Sequence, residues 1–212
     1  MKLIDMTVTE FINKVASATP APGGGSVSAL ASSLGIALLR MSGELTVTKK
    51  KFGRLEDSIK EQYISTFNSF EERLNRLQVL IDLDTNAFNE IMNAYRLPKD
   101  SDKEVMIRKT AILKATIYAT EVPLEVAQIT YSALQDVELF VKYGNKNTLG
   151  DIGVSVLNLC SGIEGALLNV RVNLPGLVDE TMINMYQEQI SSIQEGTNKI
   201  KAYLNKLIDS LL

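Results

Sequence analysis

Histidine and tryptophan are absent from this 212-residue chain, and cysteine occurs once. Each absence excludes a chemistry. Without histidine there is no Ser-His-Asp triad, no Cys-His pair, no HExxH zinc motif and no imidazole base. A single cysteine allows neither an internal disulfide nor a CxxC metal site. A basic surplus is missing too: 25 acidic against 22 basic side chains leave a net charge of −3, which argues against a nucleic-acid partner. The first residues, Met1 to Phe11, lack the apolar segment of a signal peptide. The two most apolar stretches are interrupted, one by Arg40 and the other by Asn158, Glu164 and Arg171, so no membrane span is expected. A cytoplasmic protein is the expectation. Any proton chemistry must come from Asp, Glu, Lys, Tyr, Ser or water.

The residues that are present read as helices. The length suits one domain, 1–212, since roughly 100–200 residues per domain is usual. Thr7-Val-Thr-Glu10 has the form of a capping box, and the helix it opens stops near Ala18, before Pro20 and Pro22. After Gly23-Gly-Gly-Ser26, a run rich in Ala, Ser and Leu reaches about Val47, with a narrow face of Ser28, Ser32, Gly35, Leu39 and Ser42. Arg54 to Tyr95 contains no proline or glycine and carries apolar residues at three-four spacing, as in one long helix or two nearly continuous ones. Ser101-Asp-Lys-Glu104 is a second capping box, opening a helix to about Ala119. Val122-Pro123 marks a kink or a new first turn, and a further helix runs to Tyr143 with Gly144 as its stop. A second small-residue helix opens at Asp151 and ends at Leu174-Pro-Gly176. The last helix bears a heptad-like seam from Ile183 to Leu211. The predicted fold is an all-α bundle of about six to eight helices. The seam and the small-residue faces serve either as internal core or as a dimer interface.

Four local clusters suit a ligand. Three consecutive glycines, Gly23, Gly24 and Gly25, are costly to order, at roughly 1 kcal/mol each against alanine in a helix. They read as a flexible turn, or as backbone brought close to a ligand at a helix start, with Ser26 near the N-cap. Ser28 stands where a Rossmann G-x-G-x-x-G needs its last glycine, and no P-loop Lys follows. Lys49, Lys50 and Lys51 end a helix with positive charge, either as a solvated terminus or as a partner for an acidic ligand. Asp82 and Asp84 lie two apart and so cannot share a helix face, whereas Asp84 shares one with Phe88. A carboxylate on an apolar face is a functional candidate, because burying an unpaired charge is expensive. Asn145 to Asp151 is either a plain polar loop with a capping residue or a set of groups able to recognise a polar heterocycle.

These clusters together resemble the cyclodeaminase family: the cyclodeaminase part of formiminotransferase-cyclodeaminase and its stand-alone relatives, among them methenyltetrahydrofolate cyclohydrolases. Thr19-Pro-Ala-Pro-Gly-Gly-Gly-Ser26, Leu45-Thr-Val-Thr-Lys-Lys-Lys-Phe52, Asp82-Leu-Asp-Thr-Asn-Ala-Phe88 with Arg96-Leu-Pro98, Val122-Pro-Leu124, Gly144-Asn-Lys-Asn147 through Asp151, and Asn169-Val-Arg-Val-Asn-Leu174 follow the family's order. The resemblance implies a homodimeric enzyme of folate one-carbon metabolism. It would close 5-formiminotetrahydrofolate to 5,10-methenyltetrahydrofolate with loss of ammonia, or interconvert the methenyl and 10-formyl forms with water. It further implies Asp84 as the catalytic acid with Asp82 as its rival, and the glycine turn and Ser26 on the folate. Lys49 to Lys51 would meet its glutamate tail, and Asn145, Asn147 and Asp151 its pterin or one-carbon end. No metal and no cofactor beyond the folate substrate is implied. A non-catalytic helical dimerisation protein is the reading from another class.

Overall fold

The computed structural model describes residues 2–212, and six α-helices and no strand lie among them. They are α1 (Val8–Val15), α2 (Gly24–Val47), α3 (Asp57–Tyr95), α4 (Asp102–Tyr143), α5 (Leu149–Asn173) and α6 (Glu180–Asp209), joined by short loops and single 3₁₀ turns. Both capping boxes form. The Thr7 and Ser101 hydroxyls accept the N–H groups of Glu10 and Glu104, whose side chains return to the backbone N–H groups of Thr7 and Ser101.

Of the two readings of Val122-Pro123, a kink or a new first turn, the new first turn does not occur. Helix α4 runs unbroken from Asp102 to Tyr143 with Pro123 inside it. A mid-helix proline has no N–H to give to the carbonyl four residues back, here that of Ala119. The Asn173 side chain supplies the missing donor: its Nδ2 lies 2.7 Å from the Ala119 carbonyl oxygen. A residue of α5 therefore repairs the helix that the proline would interrupt, and two expected helices become one.

The small-residue faces pack on each other. Helices α2 and α5 run antiparallel, and a Cβ added to Gly162 would lie 2.1 Å from Ser32 Oγ, one added to Gly35 2.8 Å from the Leu159 side chain. The buried hydroxyls on this seam are satisfied, Ser32 by the Ser28 carbonyl and Ser155 by that of Gly35. Most of the α6 seam also turns inward, with Tyr186, Ile190, Ile193, Thr197 and Leu204 buried and its end formed by Ile208 rather than by exposed Leu211. The faces left open between core and interface are thus spent inside one chain.

Helix α4 packs against α2, α3, α5 and α6, and the buried side chains form one continuous cluster. Phe70, Leu77, Leu134 and Phe140 are fully buried, each contributing about 1.5–3 kcal/mol through removal from water. Arg73 pairs with Asp136, and Arg76 makes a two-pronged pair with Glu125, across the α3–α4 seam. Such half-exposed pairs contribute about 0–1 kcal/mol, so the apolar core carries the stability. By length and composition, the α2 segment Gly24–Val47 and the α5 segment Lys146–Gly176 are long and apolar enough to cross a bilayer, yet half of each apolar window is buried inside the bundle.

Candidate active site

Helix α2 begins without a side-chain cap of its own, because its N-cap is Gly23. The cap arrives from α3. Asp84 Oδ2 accepts the Ser26 N–H at 2.8 Å, one of the donors a helix start leaves unpaired. The Ser26 hydroxyl stands 2.8 Å from the Ile81 carbonyl and 3.1 Å from Asp84 Oδ2, so its single proton serves one of them at a time. When that proton goes to Ile81, the hydroxyl oxygen can accept a proton held by a neutral Asp84.

This arrangement explains one glycine sterically. A Cβ on Gly25 would fall 1.9 Å from Asp84 Oδ1, so the carboxylate occupies the space a side chain would take. Gly23 has no such constraint, its nearest neighbour being 3.8 Å away.

Asp84 faces a cleft of about 350 Å³, whose walls include Pro20, Ala21, Phe88, Ile91, Val172 and the glycine turn. Burial against this lining raises the Asp84 pKa above its usual 3.8, and the two bonds from Ser26 oppose the rise without cancelling it. The group is poised to hold a proton more readily than a free aspartate. Asn169 and Asn173 complete the wall. Each spends its Nδ2 on backbone carbonyls, Asn169 on Gly165 and Asn173 on Ala119 and Asn169, which leaves their side-chain oxygens as acceptors. Neither asparagine stood out as a site residue in the sequence. The available signal was the stretch Asn169 to Leu174, which carries part of the family resemblance without being assigned to the site.

The other expected site residues lie elsewhere. Asp82 Oδ1 accepts the Leu3 N–H at 2.6 Å, so this carboxylate fastens the N-terminal turn instead of lining the cleft. Lys49, Lys50, Lys51, Asn145 and Asn147 do assemble, but in a second pocket of about 550 Å³ with Phe52, Lys142, Tyr143 and Lys146. That pocket sits at the far end of α2. The helix has 24 residues, so a rise of about 1.5 Å per residue puts the two pockets roughly 35 Å apart. Asp151 lies in the first turn of α5, where the helix dipole favours its charge, and lines neither pocket. One chain thus does not gather the expected residues into a single site. Cys160 is buried with its thiol pushed up to about 11, which makes it a poor nucleophile.

Comparison with known proteins gives four findings. The formiminotransferase-cyclodeaminase family model matches residues 7–192. A methenyltetrahydrofolate cyclohydrolase from Methylorubrum extorquens is 36% identical over 173 residues, covering 82% of this chain and 81% of its own length. A formimidoyltransferase-cyclodeaminase from Rattus norvegicus is 31% identical over 97% of this chain, which spans only 37% of that longer protein. Among solved structures, a formiminotetrahydrofolate cyclodeaminase from Thermotoga maritima shares the fold, with a TM-score of 0.84 over 97% of each chain at 23% identity.

Proposed function

The chain belongs to the formiminotransferase-cyclodeaminase family, and on that premise we propose that it closes 5-formiminotetrahydrofolate to 5,10-methenyltetrahydrofolate with release of ammonia. The observation that carries the reading is the Asp84 carboxyl at the wall of an apolar cleft beside the start of α2. In the reaction, N10 attacks the formimino carbon, its proton passes to the imino nitrogen, and the C–N bond to that nitrogen breaks. The nitrogen needs a second proton to leave as ammonia. A carboxyl whose pKa is raised by burial supplies it. The carboxylate left behind then faces the delocalised methenyl cation and stabilises it electrostatically. The cleft's 350 Å³ falls within the range of about 300–1,000 Å³ for small-molecule sites and suits the pterin and its one-carbon bridge, leaving the glutamate end outside. The chemistry calls for no metal or redox cofactor.

A second reading has its own support. The Methylorubrum cyclohydrolase matches along most of its length, whereas the bifunctional relatives match along about a third of theirs. In that reaction water adds to the methenyl carbon and the same carboxylate takes one proton from it; the bond from that carbon to N5 then breaks as the remaining hydroxyl proton passes to N5, leaving the 10-formyl product. Absorbance of the methenyl product, followed with each substrate in turn, separates the two. Asp84→Asn is expected to lower kcat by about 10²–10⁴-fold on the true substrate. Asp82→Asn should retain most of the activity. Full activity in Asp84→Asn would overturn the assignment.

A further inference from the structure

We infer that Ser26 is a positioning residue for Asp84: its hydroxyl turns between the Ile81 carbonyl and Asp84 Oδ2 as that carboxyl gains or loses its proton. The resemblance implies Ser26 on the folate. Its place in the fold is behind the cleft instead. Ser26 is fully buried, and the α2 residues in the cleft wall are Gly24 and Gly25. Its hydroxyl reaches Ile81, Asp84 and Thr85, all on α3. Ser26 therefore acts on a ligand only through the carboxyl.

The two bonds from Ser26 to Oδ2 differ in kind. The backbone N–H can only donate, so it holds Oδ2 at 2.8 Å whatever the charge on Asp84. The hydroxyl can donate or accept. An ionised Asp84 draws the hydroxyl proton to Oδ2, 3.1 Å away; a neutral Asp84 leaves it on the Ile81 carbonyl at 2.8 Å. Neither position orphans a group. The Ile81 carbonyl lies inside α3 and keeps its helical bond when the hydroxyl turns away. Thr85 Oγ1, 3.2 Å from Ser26 Oγ, can give it a proton in both positions. Asp84 Oδ1 takes no hydrogen bond among the described residues and lies against Gly25 in the cleft wall, so it is the oxygen left to a ligand. When a proton passes from Oδ1 to the ligand, the carboxylate left behind is charged. A turn of the Ser26 hydroxyl meets that charge with a donor already in place, and nothing heavier than hydrogen moves. No other charge faces Asp84. Helix α2 has no charged side chain before Arg40, and the cleft residues from α4 and α5 are Ala119, Asn169, Val172 and Asn173. On α3 itself, Asp82 is turned to the Leu3 N–H.

Ser26→Ala removes the turning hydroxyl and keeps the backbone bond. The turnover arm of the test rests on the folate reading. There kcat should fall about 10-fold with KM nearly unchanged, since a hydrogen bond to a charged group is lost as the charge forms. The limb of the kcat–pH profile set by Asp84 should move to higher pH, because a bond favouring the charged form is gone. Ser26→Cys, similar in size and a weaker donor, should fall between alanine and wild type. A change in KM with kcat intact marks a ligand contact and overturns the proposal, as does a pH limb that stays in place. The second arm needs no substrate. Wild type, Ser26→Ala, Asp84→Asn and the double variant form a double-mutant cycle, read as melting temperature from acid to neutral pH. If the hydroxyl donates to the ionised carboxylate, the Ser26→Ala penalty grows as pH rises through the Asp84 titration, and this growth vanishes in the Asp84→Asn background. Ser26→Cys takes the alanine variant's place in the cycle if the latter does not fold. A penalty equal at every pH marks an ordinary buried hydroxyl and overturns the proposal. If the pH-dependent coupling is found and neither folate is turned over, the reaction assignment fails and the role of Ser26 stands.

Discussion

Gly25 and Asp84 compete for the same space, and the glycine yields. Gly25→Ala would drive its methyl into the carboxylate at 1.9 Å. It is expected to cost about 1–3 kcal/mol in urea unfolding and to reduce activity severely, whereas Gly23→Ala should change either little. The raised Asp84 pKa carries a stability consequence of definite sign. Below about pH 3.8 the carboxyl is neutral folded or unfolded, and burial costs nothing extra. As pH climbs through the unfolded value and then the raised folded value, the native state must hold a charge it disfavours, and stability is lost. Asp84→Asn should therefore melt higher than wild type at neutral pH, with the difference vanishing toward pH 3 in parallel thermal scans. Asp84 was legible in the sequence because it shares a helix face with Phe88. Asn169 and Asn173 were not legible as site residues, because their positions matter only once the start of α2 lies beside Asn169 and α4 beside Asn173.

At the scale of elements, Pro123 and Asn173 act as one unit. Asn173→Leu strips the donor from the Ala119 carbonyl and should destabilise the bundle by about 1–3 kcal/mol. Pro123→Ala restores an N–H four residues along. Combined with Asn173→Leu it should recover most of that loss, and a double-mutant cycle measures the coupling. The Thr197 hydroxyl is buried in the α6 seam with no partner among the described residues, so Thr197→Val should raise stability by about 1 kcal/mol or more. Helix count and most boundaries followed from capping boxes and apolar spacing, which are local signals. The separate helix expected after Pro123 does not form, because the repair comes from a residue fifty positions away in another helix.

For the whole molecule, length along α2 separates what sequence order had grouped. The glycine turn, the lysine run and the Asn145–Asn147 loop look like parts of one site when read as motifs, since a motif carries no distance. A straight 24-residue helix holds the first apart from the other two. If the chain pairs with a second copy, its melting temperature should rise with protein concentration in thermal scans. The all-helical fold was legible because every strong apolar period in the chain is helical. Placing the pockets needed the antiparallel pairing of α2 and α5, which rests on contacts between glycines and serines more than a hundred positions apart.

The bond from the Ser26 N–H to Asp84 also gives the protein an internal probe. A backbone amide touches the carboxylate to which the proton transfer is assigned, so its nitrogen and proton resonances should move as that carboxylate gains or loses charge. In an isotope-labelled sample, the Ser26 cross-peak followed against pH would trace the Asp84 titration without any substrate. The same peak followed during ligand addition would show whether an incoming cation draws the carboxylate away from the helix it caps.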